Sequence, residues 1–154
     1  MDSQSPILVV VAEHDWTLAA LQTACHLARE QSAAIVLMKM VYAQHFSWLG
    51  TEFGSMHLSD KELQEMTEYQ STVDDYGVEQ STVIFQYLTL SDAIKLTADH
   101  VTAHFVFATL PKSMIPFWTS YRIERLRWDL LKQVRILVER PNHRVAAPLI
   151  DRAM

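Results

Sequence analysis

Five short apolar runs are spaced along the chain, and the segments between them have helical periodicity. The runs are ILVVV, AIVLMKMVY, STVIFQYL, HFVFA and VRILV. The first run is continuous rather than alternating, which is typical of a strand that is buried on both faces of a parallel sheet. Because the segments between the runs are long enough for helical crossovers, the pattern predicts an α/β fold. We expect one doubly wound, five-stranded parallel sheet with helices on both faces.

Local signals predict where several helices begin and end. Ser59-Asp60-Lys61-Glu62 is a capping-box sequence, and Gly77 is the expected stop of the same helix. The first helix is expected to start with a cap at His14 or Asp15, and the last helix with a cap at Ser120.

Apolar spacing predicts which helix faces point inward. In the helix after the capping box the inward positions are Leu63, Met66, Gln70 and Val73. In the last helix they are Ile123, Leu126, Leu130 and Leu131.

The pattern fits a single domain over residues 1–140, followed by a polar tail over 141–154. The stretch from Ala43 to Leu58 is long for a loop, which predicts either an insertion with a surface role, whose nature the sequence leaves open, or a partly disordered segment. No apolar run is long enough to span a bilayer, and the first residues lack the features of a secretory signal. The single cysteine, Cys25, is expected in the core and cannot form an internal disulfide. We therefore predict a cytoplasmic protein with no membrane segment.

Glycine is scarce, and charge is unevenly distributed. The 154 residues include only Gly50, Gly54 and Gly77, which argues against the glycine-rich loops that bind phosphate. Residues 1–100 contain 14 acidic and 4 basic side chains, whereas residues 101–154 contain 4 acidic and 9 basic ones. The net charge of −5 argues against nucleic acid as a partner, despite the basic second half.

The segment from Leu110 to Ser120 is the leading candidate for a binding loop. It follows the fourth strand at the end where open parallel sheets bind their ligands. Its apolar side chains are those of Met114, Ile115, Phe117 and Trp118. They predict either a contact site for a protein partner at Met114–Trp118 or a plug that folds back into the cleft, and the two are compatible.

Two arginines near the start of the last helix suggest an anion site. Arg122 and Arg125, helped by free N–H groups of Ser120 and Tyr121, can hold a phosphate. The interpretation that we favour is a solvated helix face on which Arg125 pairs with Asp129.

Other candidate groups lack the companions that their chemistry needs. Glu13, His14 and Asp15 follow the first strand, where catalytic groups are common in this architecture. No triad accompanies them, so we expect no enzymatic activity. His100 and His104 have ligand-like spacing without a cysteine or carboxylate cluster beside them, and we predict no metal site.

Over residues 6–139 the chain resembles the universal stress protein family. The resemblance rests on the order of elements, the alanine-rich first helix ending in His26-Leu27-Ala28-Arg29, the sequence Ser91-Asp92-Ala93-Ile94, and a final helix that leads directly into the last strand. It implies the strand order 3-2-1-4-5 and a homodimer joined through the last strand, from Val134 to Val138. An apolar edge strand left open would also favour such pairing.

The resemblance further implies where a nucleotide site would lie. Family members that bind ATP have an aspartate at the end of the first strand and a glycine-rich run after the fourth. Here Ala12, beside Glu13, takes the place of the aspartate, and Ala108 that of the first glycine. The remaining positions of the family cleft are Val41, Thr119, Ser120 and Arg122.

Most of the adenine-nucleotide signature is therefore missing. The resemblance implies a non-catalytic, stress-protein-like domain that needs no cofactor and acts through protein contacts. The alternative is a stress regulator that binds ATP at an altered phosphate site. In that alternative Ser120, Arg122, Arg125 or Lys112 replaces the glycine loop.

Overall fold

The computed structural model describes residues 4–42, 59–87, 89–110 and 116–141. The elements in these ranges are β1 (Ile7–Val10), α1 (His14–Gln31), β2 (Ile35–Tyr42), α2 (Asp60–Asp75), β3 (Gln80–Tyr87), α3 (Leu90–His100), β4 (Phe105–Phe107), α4 (Pro116–Lys132) and β5 (Ile136–Val138). The predictions made for residues 43–58, for Lys112, Met114 and Ile115, and for the tail beyond residue 141 lie outside the described residues.

The five strands form one parallel sheet in the order β3-β2-β1-β4-β5. The predicted fold class and strand order are confirmed. In the centre of the sheet Ile7 of β1 lies between Ile35 of β2 and Phe105 of β4. Among the described residues β5 is an edge strand, because it pairs only with β4 there.

Helices cover both faces of the sheet, which explains why the apolar run of β1 is continuous. Leu8 and Val10 of β1 pack in the core on the side of α3 and α4. Ile7 and Val9 pack in the core on the side of α1 and α2. Successive side chains of this central strand thus point alternately into the two cores, one on each face of the sheet. Within the described ranges no helix is both long and apolar enough to cross a membrane.

The capping signals of α2 are confirmed. The backbone N–H of Glu62 donates to Ser59 Oγ (3.1 Å), and the backbone N–H of Ser59 donates to Glu62 Oε1 (3.2 Å). Gly77 follows the helix with a φ of +74°, which glycine adopts at little cost. The buried face differs from the prediction, because Tyr69 is in the core while Leu63 is 38% exposed and Gln70 is only partly buried.

The predicted cap of α1 is wrong, and so is that of α4. The N-cap of α1 is Glu13, which makes no side-chain capping bond, and both His14 and Asp15 lie in the helix. α4 starts at Pro116, so Ser120 lies inside it rather than before it. Proline suits a first helical position because its ring fixes φ near the helical value and it has no N–H to satisfy.

The fifth strand is shorter than predicted. It begins at Ile136, and Val134 lies in a turn with a φ of +61°. Val134 N–H donates to Leu131 O (2.9 Å) and Arg135 N–H donates to Leu130 O (2.9 Å), so these residues close the end of α4.

Candidate ligand cleft

A cleft of about 580 Å³ lies at the carboxyl ends of β1 and β4. This is the position at which open parallel sheets bind ligands, and the volume is in the range of small-molecule sites. Most of its lining is apolar. The lining residues are Val10, Val11, Ala12, Glu13, Trp16, Met40, Leu90, Thr109, Leu110, Thr119 and Ile123.

The turn after β1 is held in place by a buried hydroxyl. Thr17 Oγ1 accepts a hydrogen bond from the backbone N–H of Ala12 (2.9 Å), and Thr17 is fully buried in the first turn of α1. Glu13 follows as the N-cap of α1, and its backbone carbonyl accepts from Thr17 N–H (2.8 Å). The turn thus presents the methyl group of Ala12 and the exposed Glu13 at the cleft.

The residue that follows β4 is buried in the core and does not reach the cleft. Ala108 is fully buried in the core beneath α3 and α4, and its N–H donates to Val138 O (3.2 Å). Thr109 and Leu110, the next two residues, reach the cleft instead. A backbone that approaches a phosphate closely needs a residue without a side chain, and Ala108 is not one.

The structure brings together three of the seven predicted cleft positions. Ala12, Glu13 and Thr119 line the cleft. The other four predicted positions do not belong to its lining; they are Val41, Ala108, Ser120 and Arg122. A ligand role for all seven stays a prediction.

The lining of the cleft contains one charged side chain, which is acidic. Among the described residues that line it, Glu13 is the only one with a formal charge. An isolated carboxylate repels a phosphate group, and no described lysine or arginine side chain in the lining offsets it.

The free backbone N–H groups predicted for Ser120 and Tyr121 at the anion site are not present, whereas an anion contact of Arg122 and Arg125 stays a prediction. Because α4 begins at Pro116, Ser120 and Tyr121 are in its second turn, where backbone N–H groups bond within the helix. The predicted pair of Arg125 and Asp129 is also wrong. Asp129 Oδ2 accepts from Lys95 Nζ of α3 instead (3.1 Å), an ion pair that joins α3 to α4.

The side chains of Phe117 and Trp118 do not plug the cleft. Phe117 is 72% exposed and Trp118 is 47% exposed, and neither lines the cleft. Trp118 stacks on Tyr121, with ring centroids 5.5 Å apart. The plug interpretation is wrong for these two residues, and their exposure agrees with a contact surface.

His14 contacts α2 and does not line the cleft, and the side chain of Asp15 is 91% exposed. One ring nitrogen of His14 lies 3.0 Å from Glu68 Oε2 and the other lies 3.4 Å from Asp15 Oδ1. The hydrogen bond to Glu68 is the largest cause that raises the pKa of His14, and Asp15 adds to it. The structure therefore does not assemble Glu13, His14 and Asp15 at one site.

Burial raises the pKa of two groups close to the core. Cys25 is buried, as predicted, and burial raises the pKa of its thiol to about 11. Burial also raises the pKa of Tyr69 to about 12, and its hydroxyl donates to Glu65 Oε2 (3.3 Å). In the described ranges no group of three or more His, Cys, Asp or Glu side chains is arranged to hold a metal ion.

Sequence reasoning missed Trp16 as a cleft residue. Its ring lines the cleft, and its Nε1–H donates to Glu139 O (2.9 Å), which fixes α1 to the end of β5. Helical spacing could have indicated that Trp16 lies on the inward face of α1. It is one turn before Ala20 and two turns before Ala24, both of which are buried.

No protein-family model matches the chain, and no curated protein matches it either. Solved structures do match. A protein of the universal stress protein family from Burkholderia pseudomallei has a TM-score of 0.62 at 15% identity, covering 88% of this chain and 96% of that one. The universal stress protein from Archaeoglobus fulgidus has a TM-score of 0.57 at 18% identity, covering 88% and 93%. A universal stress protein in complex with cAMP has a TM-score of 0.59 at 11% identity, covering 89% and 96%. The chain therefore has the fold of the universal stress proteins.

Proposed function

We propose that this chain is a non-catalytic, universal-stress-type domain that acts through protein contacts in the cytoplasm. Its cleft is degenerate for ATP. The observation that carries this proposal is the lining of the cleft, which is mostly apolar, includes two threonines, and has one charged residue, the acidic Glu13. A nucleotide triphosphate needs cationic side chains or backbone N–H groups around its phosphates, and no glycine follows Gly77 in the chain.

We also propose that the active form is a homodimer joined at β5. The strand is at the edge of the sheet, and Ile136 within it is 44% exposed. Next to it, Val134 is 72% exposed. Exposed apolar residues at an open strand edge favour pairing with another strand. Light scattering at tens of micromolar protein is expected to give the mass of a dimer, and a monomer would contradict this part of the proposal.

A second candidate function is a regulator that binds a nucleotide in an altered way. Two observations favour it. The cleft is present at the position that the fold uses for ligands. In addition, two of the similar solved structures are described as complexes with cAMP and with dAMP. In this version Arg122 and Arg125 of α4 contact the phosphate.

Titration with ATP and magnesium separates the two candidates. The proposal predicts no saturable binding at ATP concentrations up to roughly 1 mM. The binding free energy is then weaker than about 4 kcal/mol, which corresponds to a dissociation constant of about 1 mM. Binding tighter than about 100 μM would contradict the degenerate cleft. If ATP binds and Arg122→Ala and Arg125→Ala each leave the affinity unchanged, the arginine version of the second candidate is wrong as well.

A further inference from the structure

The outer edge of β5 presents its backbone groups at one residue, Leu137. Ile136 N–H donates to His104 O (2.8 Å), and Val138 O accepts from Ala108 N–H (3.2 Å), so these two residues of β5 bond toward β4. Backbone groups of successive residues in a parallel strand point to opposite sides. The N–H and C=O of Leu137 therefore point away from β4, toward the edge of the sheet that the described strands form.

A side chain of α4 covers this edge. Arg127 Nη1 donates to Leu137 O (3.2 Å), while Arg127 Nε is 3.4 Å from Glu124 Oε1. The arginine side chain is 40% exposed, so it covers the carbonyl without being locked in the core. From the opposite face of the sheet, Trp16 Nε1–H donates to Glu139 O just beyond the strand.

The elements on either side of the covered carbonyl also carry exposed apolar side chains. Four side chains at the end of α4 and along β5 are between 44% and 72% exposed; they are Trp128, Leu131, Val134 and Ile136. An open edge flanked by apolar groups is a template for another strand, and proteins commonly block such an edge with a charged side chain. Arg127 is placed to do so here.

We propose that Arg127 controls self-association of this chain. Its guanidinium group donates a hydrogen bond to the Leu137 carbonyl, and a second copy needs that same carbonyl to pair along β5. The proposal rests on the homodimer proposed above. An antiparallel, two-fold pair centred on Leu137 forms two reciprocal N–H to O bonds, one from each copy. Each bond requires a carbonyl that Arg127 covers, so dimerisation displaces two guanidinium groups.

Sedimentation velocity on three proteins tests this: the unaltered chain, Arg127→Ala and Arg125→Ala. Arg125 is a matched control because it is exposed on the same helix and its loss changes the net charge equally. Removing Arg127 frees two carbonyls per dimer, so its dimer dissociation constant is expected to fall by about tenfold or more. Arg125→Ala is expected to stay within about twofold of the unaltered chain, because Arg125 is an exposed residue of α4.

Two further measurements locate the effect. Hydrogen exchange of the Leu137 amide is expected to slow in the Arg127→Ala dimer and to be fast in the unaltered monomer. Adding Ile136→Lys to Arg127→Ala places a charge on the edge and is expected to raise the dimer dissociation constant again. Circular dichroism checks that each variant is folded.

The outcomes separate this inference from the homodimer on which it rests. If the unaltered chain dimerises and Arg127→Ala has the same dissociation constant, the role of Arg127 is overturned and the homodimer stands. If neither protein dimerises at several hundred micromolar, the homodimer and the inference both fail. If Arg127→Ala dimerises tightly but its Leu137 amide exchanges as fast as before, the contact lies elsewhere and the inference is overturned.

Discussion

Two adjacent leucines of α4 have the same spacing signal but opposite environments. Leu130 is fully buried in the core beneath α3 and α4, whereas Leu131 is 53% exposed. Leu130→Ala removes buried methyl groups and leaves a cavity, which costs about 2–5 kcal/mol of unfolding free energy. Leu131→Ala changes a surface position and is expected to stay within about 0.5 kcal/mol of the unaltered chain.

Urea denaturation and thermal melting measure both effects. For a chain of this length each kcal/mol shifts the melting temperature by about 2–4 °C, so Leu130→Ala should lower it by roughly 5–15 °C. The same estimate gives Leu131→Ala a change of less than about 2 °C. Equal losses for the two variants, or a larger loss for Leu131→Ala, would refute the assigned orientation of α4 on the sheet.

Three other perturbations have expected outcomes. The Cys25 thiol, whose pKa burial raises to about 11, should react with a thiol reagent at pH 8 far more slowly in the native protein than in denaturant. Glu68→Gln should lower the pKa of His14 toward its ordinary value in an NMR titration. In the unaltered chain the raised pKa means that the stability from this contact is present at low pH and lost as pH rises through the folded-state pKa. Ser59→Ala breaks the capping box with Glu62 and should cost about 1 kcal/mol in urea denaturation.

The sheet could be predicted because its signals are local and strong. The first strand lies in a continuous apolar run, ILVVV, which is buried over Ile7–Val10. The capping box at Ser59 and the left-handed Gly77 depend only on neighbouring residues, so they were also predictable.

The sequence could not show which of several possible contacts a side chain makes when the contact partner is distant along the chain. Asp129 is four residues after Arg125, but it pairs with Lys95, because α3 packs beside α4 and brings that lysine within 3.1 Å. Similarly, Ser120 is a good capping residue by type, but Pro116 starts the helix earlier. Helical spacing alone cannot separate Leu130 from Leu131, because the orientation of α4 against the sheet decides which of them is buried.

The cleft was located by fold-level reasoning, while its chemistry came from the structure. The position beyond the ends of β1 and β4 follows from the architecture. The contributions of Trp16 and Leu110 to its lining follow from tertiary packing.

The most direct test of the central claim is to denature freshly purified protein and analyse the supernatant for adenine nucleotides by mass spectrometry. A cleft whose only described charge is the carboxylate of Glu13 is expected to retain no stoichiometric nucleotide. Finding one nucleotide per chain would contradict the degenerate cleft and would make Arg122 and Arg125 the next residues to substitute. Finding none would leave the exposed surface at Phe117 and Trp118 and the edge of β5 as the places where this protein acts.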